Sequence, residues 1–166
     1  MLYDRAKIFI KAGDGGNGSA SFRREKFVPW GGPDGGDGGR GGSVYLEVDP
    51  SLNTLLPFKF KTHYKAESGG NGGKQQKHGK AGEDLYIKVP PGTIFYTEVD
   101  PDEPDEPVLQ GDLTTPGQSI MVGRAGRGGL GNTHFKTSTH QAPKMAQKGE
   151  PGDERWLRLE LKLIAD

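Results

Sequence analysis

The sequence predicts a mainly β fold, an antiparallel β-sandwich or barrel with almost no α-helix, from which a glycine-rich bundle of polyproline II segments protrudes. Three observations predict it. Glycine supplies 28 of 166 residues and falls in runs with a period of three, above all Gly35-Gly36-x-Gly38-Gly39-x-Gly41-Gly42. Between the runs lie short segments that alternate apolar and polar residues with the period of two of a half-buried strand. Only one stretch, Ser51 to Leu56, places leucines at helical spacing after a Ser start, and Pro57 is expected to end it.

A period of three is that of polyproline II, whose backbone makes no internal hydrogen bonds and must be solvated or paired sideways. Glycine permits the pairing, because two of every three residues can lie against a neighbouring backbone while the third, Asp37 or Arg40, points outward. Ordering glycine carries a large entropic cost, so an ordered run needs neighbours. They are present: Gly69, Gly70, Gly72 and Gly73 repeat the pattern, as do Gly126, Gly128, Gly129 and Gly131, and Gly13, Gly15, Gly16 and Gly18. A disordered linker would not recur between strands, and the Gly-x-y register is too short for collagen.

Strands are expected at Ala6–Lys11, Ser43–Asp49, Asp84–Val89, Thr93–Thr97, Ser119–Val122 and Trp156–Ile164, with a possible extension at Ser19–Phe22 and short pieces at Phe58–Lys61 and Val108–Leu109. Pro90-Pro91-Gly92 and Thr115-Pro116-Gly117 have the chemistry of turns. The last strand, with Leu157, Leu159, Leu161 and Leu163 on one face, is the best patterned; it runs to Asp166 with no cap, as if more protein followed.

Lys and Arg number 22, and so do Asp and Glu, for a net charge of zero. Six of the acids lie between Glu98 and Glu106, so the remaining 16 face all 22 basic residues, an excess of six positive charges. Lys74, Lys77, His78 and Lys80 lie in a stretch without an acid, as do Lys136, His140, Lys144 and Lys148. A third basic stretch, Arg23-Arg24-Glu25-Lys26, is bracketed by Phe22, Phe27 and Trp30, an interleaving of cations and rings that suits phosphates and unpaired bases. Basic loops beside glycine runs point to an anionic partner. The absence of cysteine fits a reducing cytoplasm, and no apolar run approaches the ~20 residues that span a bilayer.

Catalytic motifs fail on inspection. Three stretches satisfy G-x-G-x-x-G, but none leads into a helix whose N-terminus would receive a pyrophosphate. Neither Gly-Lys pair completes a nucleotide P-loop: Gly73-Lys74 has Ser68 and Gln75 where Gly and Ser/Thr are needed, and Gly79-Lys80 has Lys74 and Ala81. The four histidines lack metal-ligand spacing, and no serine sits in a nucleophile elbow. No catalytic residue, metal ligand or cofactor site is expected within the chain.

Six ordered motifs resemble the N-terminal domain of the Obg GTPases: FRREKFVPWGGPDGGDGGRGG (22–42), LNTL (52–55), HYKAESGGNG (63–72), VPPGT (89–93), GRGGLGNTHF (126–135) and LELKLIAD (159–166). The resemblance covers residues 1–166 as one such domain: a glycine-rich bundle on an eight-stranded base, with the GTPase domain following. It implies a parent that hydrolyses GTP with Mg²⁺, acts in assembly of the large ribosomal subunit and responds to guanine alarmones. This domain is then expected to dock on rRNA as a cytoplasmic monomer through Arg23, Arg24, Lys26, Lys74, Lys77, Lys80, Lys136, Lys144 and Lys148, with its own GTPase domain or stress regulators as alternative partners. Three departures stand out: Trp30 where lysine is frequent, Ala125 for a frequent glycine, and a longer, more acidic Glu98–Glu106 loop, which is expected away from the RNA.

Overall fold

The computed structural model describes residues 2–22, 31–98, 102, 108–135 and 145–163. Among them, eight strands form two mixed sheets, and neither closes into a barrel. The strands are β1 (Leu2–Lys11), β2 (Val44–Val48), β3 (His63–Lys65), β4 (Leu85–Val89), β5 (Thr93–Thr97), β6 (Gln110–Leu113), β7 (Ser119–Gly123) and β8 (Glu154–Leu163). One sheet has the order β3-β1-β8-β5-β6 and the other β4-β2-β7. The longest pairing joins β1 and β8 antiparallel over ten residues, from Leu2 opposite Leu163 to Lys11 opposite Glu154.

The alternation read from the sequence becomes a buried layer. Ile8, Ile10, Leu157, Leu159 and Phe95 of the larger sheet and Val44, Leu46, Ile87, Val89 and Val122 of the smaller belong to one buried cluster. At roughly 2 kcal/mol per buried aliphatic side chain, this cluster dominates the stability of a chain that is only 31% hydrophobic. Pro90-Pro91-Gly92 is the expected turn, with Gly92 at φ 88° and the Thr93 N–H donating to the Pro90 carbonyl at 3.3 Å. No helix among the described residues is long and apolar enough to cross a membrane.

Five expectations are corrected. The base is not wholly antiparallel, because β3 runs parallel to β1 and β4 parallel to β2. A parallel pair needs a long crossover, and the excursions through the glycine segments supply it. The α-helix, α1, is Pro57–Phe60 rather than Ser51–Leu56, and it takes the place of the short strand expected at Phe58–Lys61: proline's preset φ and missing N–H suit the first helical turn, so Pro57 starts the helix. Strand β6 is Gln110–Leu113, not Val108–Leu109; a Cβ on Gly111 would come within 2.8 Å of the Phe95 ring, so glycine holds a place that apolar patterning does not reveal. Ser19–Phe22 contributes no strand, only one antiparallel bridge between Phe22 and Pro33.

Candidate nucleic-acid interface

Six segments outside the sheets and helices run side by side: residues 12–19, 34–43, 66–73, 77–84, 124–131 and 147–153. Their backbones are bonded sideways at the three-residue spacing seen in the sequence. Gly13, Gly16 and Ser19 donate to Gly42, Gly39 and Gly36, while Ala12, Gly15 and Gly18 donate to Asp153, Glu150 and Gln147. The central segment donates in turn from Gly36, Gly39 and Gly42 to Gly73, Gly70 and Glu67. These bonds supply the lateral partners that a backbone without internal hydrogen bonds needs.

Close approach explains the glycines. A Cβ placed on Gly35, Gly36, Gly38, Gly39, Gly41, Gly42, Gly69, Gly72, Gly126, Gly128, Gly129 or Gly131 would lie 1.8–2.3 Å from a neighbouring carbonyl oxygen. Two of the predicted structural glycines differ: at Gly70 the nearest atom is 3.1 Å away, and at Gly73 it is 3.7 Å away. Single glycines that the run pattern passes over, Gly79, Gly82, Gly149 and Gly152, are packed as tightly, at 1.9–2.4 Å. Their three-residue separation was the signal for them.

The third position of the repeat is less free than expected. Arg40 is exposed, but the Asp37 carboxylate is only 28% exposed and accepts the Gly131 N–H at 2.8 Å. His134 Nε2 meets the same oxygen at 2.8 Å, and His78 Nδ1 accepts the Asp37 N–H at 3.0 Å. Two of the four histidines are thereby spent on anchoring loops. Nearer the base, Asp14 accepts the Gly152 N–H and the Lys11 ammonium, which together hold its carboxyl below the usual range against a smaller opposing effect of burial.

The feet of the three basic stretches meet at one node around Asp34 and Gly35. Asn132, fully buried, accepts the Gly35 N–H through Oδ1 at 2.9 Å and donates from Nδ2 to the Ser21 carbonyl at 2.9 Å. The backbones before residue 23 and before residue 136 are thus tied to the central segment. Phe22 and Pro33 close the first of these excursions, and the 3-10 helix Asn132–Phe135 leads into the second. The third, residues 74–77, is a tight turn with positive φ at both central residues, in which Lys77 N–H reaches the Lys74 carbonyl at 3.2 Å while Gln75 and Gln76 have φ of 58° and 55°. Asp34 braces it: its carboxylate accepts the Gln75 N–H at 3.2 Å and its carbonyl the Gln76 N–H at 2.6 Å. Neither Asp34 nor Asn132 stood out in the sequence, since a bracing role leaves no periodic signal.

Of the predicted contact residues, Lys74, Lys77, Lys80 and Lys148 are exposed, and none has an ion-pair partner among the described residues. Arg23, Arg24, Lys26, Lys136 and Lys144 lie outside the described residues, as do Phe27 and Trp30. Glu98, counted with the acidic loop, instead bonds Lys7 at 2.7 Å and Arg158 at 2.9 Å on the larger sheet. No group of three or more metal-ligating side chains occurs among the described residues.

The chain can now be set beside known proteins. A family model described as GTP1/OBG matches residues 3–163. The chain is 61% identical over 163 residues to a protein named GTPase Obg from Herpetosiphon aurantiacus, covering 98% of this chain and 36% of the relative. It is 57% identical to GTPase Obg of Roseiflexus castenholzii and 55% identical to that of Chloroflexus aurantiacus, each over 99% of this chain and 36% of the relative. The chain therefore spans little more than a third of the length of these curated relatives.

Proposed function

This chain belongs to the GTP1/OBG family, and we propose that it is the non-catalytic ribosome-docking domain of an Obg-type GTPase acting in assembly of the large ribosomal subunit. The parent protein hydrolyses GTP with Mg²⁺ in a separate domain. No P-loop can be written for the 166 residues, so this part binds and positions.

One observation carries the reading: the feet of the three basic stretches converge on the Asp34–Gly35–Asn132 node, held by a bundle too tightly packed to bend freely. Lys74, Lys77, Lys80 and Lys148 then contact rRNA phosphates together with Arg23, Arg24, Lys26, Lys136 and Lys144. A rigid support limits the conformational entropy lost on binding and lets a few charged tips act together. Localisation follows the ribosome, in the cytoplasm.

The test is co-sedimentation of the chain with large ribosomal subunits, comparing the native sequence with Arg23→Ala plus Arg24→Ala. The proposal expects the pair to lower the bound fraction severalfold at unchanged thermal stability. Equal binding by both proteins, or capture of the same partner from nuclease-treated lysate as from untreated lysate, would transfer the function to protein interaction.

A further inference from the structure

The β base carries a second surface, unrelated to the basic tips. Strand β4 is the outer strand of the β4-β2-β7 sheet. Leu85 N–H donates to the Ser43 carbonyl and the Val89 carbonyl receives the Asp49 N–H, so Leu85, Ile87 and Val89 direct both backbone groups at β2. By the alternation of a parallel ladder, the N–H and C=O of Tyr86 and Lys88 point away from the sheet. The structure gives these four groups no hydrogen-bond partner among the described residues. An unpaired edge is a template for one more strand.

Beside this edge lies a mostly apolar hollow of about 380 Å³, with Pro57, Phe58, Tyr64, Leu85 and Ile87 among its lining residues. An added strand would place every second side chain on the face that Leu85 and Ile87 share, above this hollow. Its rim is basic. Lys88 is matched by Glu47 and Lys59 by Asp4, whereas Lys61 lies over the Tyr64 ring at 4.8 Å with no carboxylate partner among the described residues. Nearby α1 leaves Phe60 83% exposed, and Tyr86 is 46% exposed.

We infer that the β4 edge and its hollow form a docking site for an extended acidic peptide segment of a partner protein, which adds as a fourth strand with a bulky apolar side chain in the hollow and a carboxylate at Lys61. Main-chain bonds to Tyr86 and Lys88 supply affinity, and the hollow and Lys61 supply selectivity, as in other strand-addition modes. The inference stands whether or not the domain binds RNA.

The test uses the 166-residue chain labelled with ¹⁵N and the blocked peptide Glu-Val-Phe-Val-Glu. Saturable shifts concentrated on the Tyr86 and Lys88 amides are expected, together with at least tenfold weaker binding of Lys-Val-Phe-Val-Lys. Lys88→Pro removes an outward donor without breaking a ladder bond and should lower affinity at least tenfold in a folded protein. Lys61→Glu gives a second arm that leaves the backbone intact and should reverse the preference between the two peptides. No saturable shift up to about 1 mM peptide would overturn the inference. So would a concentration-dependent dimer abolished by Lys88→Pro, which would make a second copy of the chain the occupant.

Discussion

The side-chain oxygen of Asn132 accepts the backbone N–H of Gly35 at 2.9 Å across a sequence separation of 97 residues, and its amide nitrogen reaches Ser21. One buried side chain thus joins three backbone segments at the place where the basic loops depart. Asn132→Ala strands the buried Gly35 N–H, worth about 1–3 kcal/mol, and the part-buried Ser21 carbonyl, worth about 1 kcal/mol, so a loss of about 2–4 kcal/mol is expected in urea unfolding. An unchanged midpoint would remove the node from the account.

Adjacent glycines give a sharper test of packing. Gly72→Ala would place a methyl 1.9 Å from the Gly36 carbonyl oxygen, whereas Gly73→Ala meets nothing nearer than the Lys77 Cβ at 3.7 Å. Gly72→Ala should therefore destabilise by several kcal/mol, and Gly73→Ala should be neutral or stabilising by about 0.5 kcal/mol through the unfolded chain. Thermal midpoints that move together would contradict the packed bundle. By the same geometry Gly38→Val should be far more damaging than Arg40→Ala, since a Gly38 Cβ would lie 1.9 Å from the Gly16 oxygen and the Arg40 side chain is 57% exposed.

Gln75 and Gln76 both have positive φ, a region that disfavours residues with a Cβ. Gln76→Gly relieves about 1 kcal/mol of left-handed strain, partly offset by glycine's greater unfolded entropy, so stability should hold or rise slightly. A clear fall in the thermal midpoint would show that the side chain itself supports the turn.

Asp14 links bundle stability to pH. The Gly152 N–H and Lys11 lower its carboxyl below the ordinary 3.8. A group whose folded value is depressed contributes stability that is complete above the unfolded value and is lost as pH falls through the folded one. The native chain should therefore exceed Asp14→Asn in urea midpoint at about pH 6, and the two should converge at about pH 3 or below. A constant difference across that range would mean that the carboxylate charge is irrelevant.

Much of the base could be read from period-two patterning: β2, β4, β5, β7 and β8 lie where Val44, Ile87, Phe95, Val122 and Leu159 recur, because burial on one face imposes the alternation. The glycine period likewise foretold lateral bonding at three-residue steps. What escaped depends mostly on contacts made elsewhere in the chain, and in one case on a local rule that was misapplied. Gly111 is explained only by the Phe95 ring, α1 by Pro57 acting as a first residue, and the parallel pairs by long excursions that return a strand in the same direction. At the candidate interface the exposed lysines follow from composition, but the braces, Asp34 and Asn132, do their work through backbone groups that lie far off in sequence.

The central claim is that charged tips on a rigid bundle hold rRNA through phosphates. Its most direct measurement is the affinity of the chain for large ribosomal subunits as a function of KCl concentration, with and without Lys74→Ala, Lys77→Ala and Lys80→Ala together. The account predicts a linear fall of log affinity with log salt, at about −0.7 to −0.9 per phosphate contact, and a slope shallower by about 2 to 3 in the triple variant. Binding that ignores salt, or a slope untouched by losing the three lysines, would contradict it.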